Sequence, residues 1–299
     1  MYSQKRTKIN ERTTKCAVIF CAVFSVLALL TITVFLFASG APFIARTGLG
    51  KFLFGTNWDI TSSNPSYGIL PMILSSIYLT ALSLLIGVTT GLFTAIALYK
   101  FLPRKVVAPI SQTINLLSGI PSVIFGLFGM TVIVPVVRDY ISPNGVGYGL
   151  FSSAIVLSIM ILPTIVSVTL DSLNSVPKEY YEGALALGAT KEQATFLVML
   201  PAGKSGVMAG VVLATGRAIG ETMAVIMVIG GSTDMPVSLF QSVRTMTANI
   251  AMGAMEVSGD ALYALIATGV VLFTFTLLIN VCFALLKKEK KEKVKKAKK

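Results

Sequence analysis

Long apolar runs separated by short polar segments dominate the chain. Five of these runs carry no Asp, Glu, Lys or Arg, and a sixth is interrupted only by Arg217 and Glu221. Each run reaches the ~20 residues that a helix needs to cross the hydrocarbon core of a bilayer. The pattern predicts an all-α membrane protein with six transmembrane helices, over residues 16–40, 69–99, 107–137, 149–170, 205–231 and 261–286.

The basic residues fall on alternate sides of these six spans. The N-terminus (1–15), two loops (100–105 and 171–204) and the tail (287–299) together hold 20 of the 25 Lys and Arg residues. Because basic residues concentrate in cytoplasmic segments, both termini are expected in the cytoplasm. They would flank a multi-pass domain over 16–286 in the plasma membrane, the inner membrane of the cell.

The first span also has features of a secretory signal peptide, since basic residues precede it and small residues, "ASGA" (38–41), follow it. The uncharged run of 25 residues is longer than the roughly 7–15 apolar residues of a signal peptide. We therefore expect a retained first helix, with cleavage as the alternative.

Composition supports the membrane class and excludes several chemistries. Charged residues make up 13% of the chain, against roughly 25% in soluble domains, and the mean hydropathy is +0.80. The net charge of +12 does not indicate nucleic-acid binding, because nine lysines lie in the tail 287–299. There is no histidine, and Cys16, Cys21 and Cys282 show no ligand spacing. No metal site, cofactor or catalytic residue is predicted.

The loop 171–204 has its own helical pattern. One short helix is expected to follow Pro177 and to end at Gly188, which can adopt the left-handed conformation. Thr190 and Gln193 fit a capping box at the start of a second helix. From the pattern alone, this could be an ordinary pair of helices at the membrane surface.

The neighbouring "AGKSG" (202–206) ends like a phosphate-binding loop. The first glycine of G-x-x-x-x-G-K-[ST] would fall at Val198, so the motif fails. The chain carries no nucleotide-binding motif and is not predicted to be an enzyme.

Arg217 and Glu221 are predicted on one face of the fifth span, four residues apart and near its midpoint. A charge at the centre of the bilayer costs roughly 2.5–3.5 kcal/mol on insertion scales. One interpretation is an intrahelical ion pair that locks helix packing. The other is a substrate path, in which Arg217 binds a tetrahedral oxyanion through its planar donors and Glu221 positions Arg217 or accepts a hydrogen bond from the protonated oxygen of hydrogen phosphate.

Small residues predict close packing around this span. Gly210 and Ala214 form a small-xxx-small ridge beside the two charges. In the third span, Pro121 is expected to kink or open the helix, and Ser118, Ser122 and Gly126 follow a spacing of four. Simple helix packing explains these residues as well as a translocation path does.

The segment "EGALALGATKEQATFLVMLP" (182–201) resembles the EAA loop of ABC importer permeases. Glu182, Ala184 and Gly188 match the motif at the family spacing, and Gly183 replaces its first alanine. The resemblance implies a type I ABC importer permease fold, with a cytoplasmic coupling helix between spans four and five. This helix would dock on the subunit that hydrolyses ATP.

Two further segments resemble the phosphate branch of these permeases: "ATGRAIGETMAVIMVIGG" (214–231) and "LLSGIPSVIFGLFGM" (116–130). The outer segment from residue 57 is closer to the C-type subunit (PstC type) than to its A-type partner. The resemblance implies a second permease subunit (PstA type), two ATP-binding subunits (PstB type) and an external phosphate-binding protein (PstS type).

Two alternatives remain open from the sequence. The same architecture could import another oxyanion, such as sulfate or molybdate. A self-contained channel or ion-coupled carrier is a different class, and the EAA-like loop opposes it because such a protein has no ATPase to dock.

Overall fold

A computed structural model describes residues 2–60, 62, 64–254 and 256–297 of the chain. These residues are mostly helical, with one short hairpin. The helices are α1 (Tyr2–Thr47), α2 (Leu49–Phe54), α3 (Leu70–Ile96), α4 (Arg104–Ser118), α5 (Ser122–Phe128), α6 (Val134–Val136), α7 (Leu150–Asn174), α8 (Lys178–Ala186), α9 (Lys191–Gln193), α10 (Leu200–Ala202), α11 (Lys204–Gly220), α12 (Met223–Ile229), α13 (Met246–Gly253) and α14 (Asp260–Ala297). π-Helical turns extend several of them, at Ala97–Phe101, Gly129–Ile133, Val137–Ile141 and Ala194–Met199.

Five helical segments are long and apolar enough to cross a membrane. They are Thr14–Thr47, Leu70–Phe101, Ser122–Ile141, Leu150–Asn174 and Asp260–Phe283. Within the described residues a sixth is reached only if Lys191–Ala202 and Lys204–Gly220, which are bent by 69° relative to each other, count as one span. The membrane helices are confirmed, whereas the count of six depends on how this bent pair is treated.

Two of the predicted spans differ in the structure. The run 107–137 is divided, because α4 ends at Ser118 and α5 begins at Ser122. The run 205–231 was predicted as one helix, but α11 ends at Gly220 and α12 begins at Met223. An absence of charge therefore marks membrane segments without showing where a helix is interrupted.

Helix α7 (Leu150–Asn174) lies at the centre of the largest apolar core. It packs closely against α3 because glycines there leave room for its side chains. A Cβ at Gly87 would come within 2.9 Å of Ile161 Cδ1, and one at Gly91 within 2.9 Å of Ile165 Cγ2. Such small residues let helices approach in lipid, where packing drives association.

Helices α1 and α14 form a second packed pair. The rings of Phe37 and Phe273 meet edge to face at 6.1 Å, and a Cβ at Gly40 would lie 2.7 Å from Val270 Cγ2. Nearby, strands β1 (Trp58–Asp59) and β2 (Ser66–Tyr67) form an antiparallel hairpin. This hairpin is an addition to the predicted all-α fold.

The connecting segments divide between the two ends of α7. At its N-terminal end, Phe151 N donates to Leu239 O at 2.9 Å, so the segment between α12 and α13 lies there. At its C-terminal end, Ser172 Oγ donates to Gly203 O at 2.6 Å. The loop that carries α8 and α9 therefore lies at the opposite end from the α12–α13 segment.

Helix α14 does not stop at the predicted boundary between span and tail. Its backbone continues as a helix to Ala297, through most of the lysine-rich stretch 287–299. Residues 298–299 lie outside the described part of the chain.

Candidate functional site

Arg217 lies near the C-terminal end of α11, beside the middle of α7. Its Nη1 donates to Thr164 Oγ1 at 3.5 Å, a long hydrogen bond. The side chain is half-buried. Within the described residues no carboxylate lies within ion-pair distance of Arg217, since Arg138 and Asp139 form the only such pair. Most of its N–H donors thus have no acceptor among the described residues.

Glu221 does not share a helical face with Arg217, which corrects the sequence expectation. Its backbone is extended, with φ −67° and ψ 129°, so α11 ends before it. Its Oε1 accepts a hydrogen bond from Ala224 N at 3.1 Å, at the start of α12. Its backbone oxygen accepts another from Thr247 Oγ1 at 3.0 Å. Glu221 therefore satisfies one N–H at the start of α12 through its carboxylate, and its backbone oxygen holds the hydroxyl of Thr247 on α13.

One face of α11 next to Arg217 is open. A Cβ at Gly216 or Gly220 would meet no described atom within 4 Å, and Leu213 is 58% exposed. Because Leu213, Arg217 and Gly220 follow helical spacing, the guanidinium lies at the edge of this face. A ligand or a second subunit could reach it from there.

The adjacent side of α11, with Gly210 and Ala214, is closely packed. A Cβ at Gly210 would lie 3.2 Å from Val168 Cβ on α7, and Ala214 is fully buried. Gly126 of α5 similarly approaches α12, where its Cβ would lie 3.0 Å from Ala224 Cα. These contacts fix α11 against α7 and α12 against α5, and they leave the open face exposed.

Pro121 interrupts the helix and does not merely kink it; both outcomes were expected from the sequence. It precedes Ser122, the first residue of α5, and its own backbone is extended, with ψ 141°. Ser122 and Gly126 lie on α5, while Ser118 ends α4. The predicted stripe at a spacing of four is therefore interrupted after Ser118.

The motif residues of the loop 171–204 lie on a short exposed helix and its turn. Glu182 and Gly183 are exposed and Ala184 is half-buried on α8. Gly188 adopts the predicted left-handed conformation, with φ 88°. The predicted capping box is present, since Thr190 N donates to Gln193 Oε1 at 2.9 Å and Gln193 N donates to Thr190 Oγ1 at 3.3 Å.

Contacts between α8 and the end of α3 were not predicted. Lys100 Nζ lies 4.3 Å from the centre of the Tyr181 ring, a cation–π contact. The rings of Phe101 and Phe196 lie 6.4 Å apart in the same junction. These residues are distant in the chain, and only the aromatic residues beside the EAA-like motif could have indicated such a contact.

Comparison with known proteins gives a family and close relatives. The family model described as "Binding-protein-dependent transport system inner membrane component" matches residues 87–292. A probable ABC transporter permease protein, YqgH of Bacillus subtilis, is 40% identical over 255 residues, covering 84% of this chain and 81% of the relative. The phosphate transport system permease protein PstC of Mesorhizobium japonicum is 37% identical over 291 residues, covering 91% of this chain and 86% of the relative.

Solved structures show the same fold at low sequence identity. The MetNI methionine ABC transporter in an inward-facing conformation superposes with a TM-score of 0.59 at 18% identity, covering 74% of this chain and 95% of that one. A bacterial ABC transporter that imports the polysaccharide alginate gives 0.58 at 16% identity, covering 89% and 96%. The helices described above are thus arranged as in ABC importer permeases.

Proposed function

The chain belongs to the binding-protein-dependent transport system inner membrane component family, and from that premise we propose that it is the C-type permease subunit of an ATP-driven phosphate importer. Membership makes it a multi-pass permease subunit and not an enzyme. Its likeness to PstC proteins over most of its length supports phosphate as the cargo. The observation that carries the proposal is Arg217, a half-buried guanidinium at the edge of an open helix face that forms no ion pair with any described carboxylate.

The guanidinium suits a phosphate oxyanion for physical reasons. Arginine carries a positive charge, and its planar donors match two oxygens of a tetrahedral anion. In a region that excludes water, each such charge-assisted bond is stronger than it would be in solution. Glu221 follows Arg217 by four residues in the chain, and its carboxylate can accept a hydrogen bond from the protonated oxygen of hydrogen phosphate, which sulfate lacks at neutral pH.

The architecture that fits this function has six crossings. Five are the long apolar segments. The other would be built on α11, which belongs to the bent pair Lys191–Ala202 and Lys204–Gly220, with α12 continuing the crossing beyond the break. Both termini and the loop with α8 and α9 would face the cytoplasm, in the inner membrane. This orientation places the α12–α13 segment outside, in agreement with its position at the opposite end of α7.

Coupling to ATP hydrolysis is assigned to α8 and its turn. The Gly188 turn and the Thr190 cap fix the position of this helix. The surface of the helix and its turn is formed by the exposed residues Glu182, Gly183 and Gly188 and by the half-buried Ala184. A short rigid helix transmits the movement of a docked subunit, whereas a flexible loop would absorb it. The partners would be a PstA-type permease, two PstB-type ATPase subunits and a PstS-type phosphate-binding protein.

Restoring this chain to cells that lack it should restore phosphate uptake. The measurement is uptake of radiolabelled phosphate, with excess sulfate or molybdate as competitor. Phosphate uptake that neither competitor reduces supports the proposal. Restored sulfate or molybdate uptake without phosphate uptake would identify another oxyanion as the cargo.

Glu221→Gln and Glu221→Ala should separate the two roles of this carboxylate. Gln retains an oxygen for the Ala224 N–H, so we expect normal assembly but uptake about tenfold slower, because hydrogen bonds to charged groups contribute about 1.5–3 kcal/mol. Ala also removes the acceptor and should lower stability by about 1 kcal/mol, as loss of a helix cap does. Uptake and thermal unfolding are measured on the same preparations. Faster uptake by Glu221→Gln would mean that the carboxylate only repels the anion.

A further inference from the structure

A second arginine, Arg244, is half-buried in the segment between α12 and α13. Its Nε donates to Gly231 O at 2.8 Å, and its Nη1 donates to Asn249 Oδ1 at 3.2 Å. No described acceptor lies within hydrogen-bond distance of Nη2, and no described carboxylate forms an ion pair with this side chain. Burial lowers the pKa of the Arg244 guanidinium from its ordinary value, and the more distant Glu256 acts in the opposite direction.

Asn249 adds an orphan donor at the same place. The residue is 1% exposed, and its Nδ2 has no hydrogen-bond partner among the described residues. This nitrogen belongs to the carboxamide whose oxygen accepts from Arg244, so its N–H groups lie beside the guanidinium. A buried donor without an acceptor is rare in folded proteins and requires an explanation.

The chemistry of this cluster is one-sided. The unused groups of Arg244 and Asn249 are all donors, and one of them carries a positive charge. A ligand that completes them must offer several acceptor oxygens and a negative charge, which are the properties of a phosphate group.

The cluster also lies next to the proposed path. Thr245 Oγ1 and Thr247 Oγ1 are 3.1 Å apart, and Thr247 Oγ1 donates to Glu221 O. Met246 N donates to Ser76 Oγ near the start of α3 at 3.0 Å. The chain of contacts runs from Arg244, at the end of the molecule opposite α8, to Glu221 and the break after α11.

We propose that Arg244 and Asn249 form an outer binding site for a phosphate group, which the anion occupies before it reaches Arg217. This inference rests on the proposed function, since it assigns the order of two sites on one path. The competing explanation is that Arg244 only fastens the segment by bonding Gly231 and Asn249.

Asn249→Asp separates these explanations because the change is isosteric. Aspartate keeps the oxygen that accepts from Arg244 and adds a charge, so a fastening role predicts equal or greater stability and unchanged phosphate binding. If the cluster is an outer site, the variant should bind phosphate poorly. The second carboxylate oxygen of Asp replaces the Nδ2 donor of Asn249, and the carboxylate neutralises the Arg244 guanidinium. We expect phosphate binding at least about tenfold weaker for Asn249→Asp and Arg244→Gln, and a partial loss for Arg244→Lys.

Binding is measured with radiolabelled inorganic phosphate on the assembled permease and ATPase complex in phosphatidylcholine nanodiscs, without ATP or binding protein. The Arg217→Gln substitution removes the inner site, and in this background saturable phosphate binding should persist at the outer site. Arg138→Gln is the matched control, because Arg138 is exposed and already paired with Asp139 at 2.7 Å, and it should bind as the parent does. Thermal unfolding without phosphate verifies that each variant is folded.

Three results would overturn the proposal. The first is loss of phosphate binding in the Arg217→Gln background alone, and the second is unchanged phosphate binding in a folded Asn249→Asp variant. The third is stabilisation by phosphatidylglycerol nanodiscs that depends on Arg244 and occurs without any binding of inorganic phosphate. The last would assign the cluster to a lipid headgroup. Cellular uptake tests the proposed function separately, so normal phosphate uptake with no outer site would leave the importer intact and remove only this inference.

Discussion

Arg217→Gln is expected to abolish phosphate uptake while the complex still assembles. The variant loses the positive charge and the paired donors that would hold the anion near the middle of the membrane. Two charge-assisted hydrogen bonds, each contributing about 1.5–3 kcal/mol, correspond to a fall in uptake of roughly two orders of magnitude or more. Arg217→Lys should recover part of the activity, since it keeps the charge and loses the planar fork.

Assembly should survive because Arg217 and Glu221 are not paired in the structure. Glu221 bonds Ala224 N, and Arg217 bonds Thr164, so removing the arginine leaves no carboxylate without its partner. Arg138→Gln removes an arginine elsewhere and should transport normally. The double variant Arg217→Gln/Glu221→Gln should assemble and remain inactive. If the double variant transports phosphate, the two charges serve only to hold the helices.

The membrane segments could be predicted wherever a span is one uninterrupted helix. The segments of α1, α3, α7 and α14 follow from uncharged runs, because the bilayer thickness sets their length. The breaks at Pro121 and Glu221 differ in how visible they are. Proline removes a backbone donor and therefore signals its own break. The carbonyl of Glu221 is satisfied by Thr247, a tertiary contact that no local pattern contains.

The same distinction applies to the candidate sites. Gly188 and the Thr190 capping box were predicted because their signals are local, one being a glycine that permits positive φ and the other a pair of residues three apart. Arg217 stood out because a charge in an apolar run is expensive. The contacts of Arg244 with Asn249 and of Lys100 with Tyr181 depend on how elements pack. None of these four residues is unusual in its own stretch of sequence.

Gly188→Pro is expected to uncouple ATP hydrolysis from transport. Gly188 has φ 88°, and its N–H donates to Leu185 O at 3.0 Å. Proline has no N–H and fixes φ near −65°, so the turn after α8 cannot form and the helix loses its orientation. In proteoliposomes with the binding protein, we expect phosphate uptake to fall at least about tenfold, for a backbone cost of about 3 kcal/mol. Basal ATP hydrolysis should persist, because the ATPase subunits and the second permease are unchanged.

Gly188→Asn is the matched control for the turn, since asparagine tolerates the left-handed conformation and should keep transport coupled. A charged, bulky residue at Ala184 provides an independent test, because it leaves the turn intact and alters the helix surface; it should also uncouple. On the proposed function, movement of α8 would pass from Tyr181 on α8 to Lys100 at the end of α3. It would then pass from α3 to the closely packed α7, which carries Thr164, the partner of Arg217. Coupled transport in both Gly188→Pro and the Ala184 variant would mean that the ATPase acts on this chain elsewhere. The contacts from α8 to Arg217 would then not transmit the conformational change that drives transport.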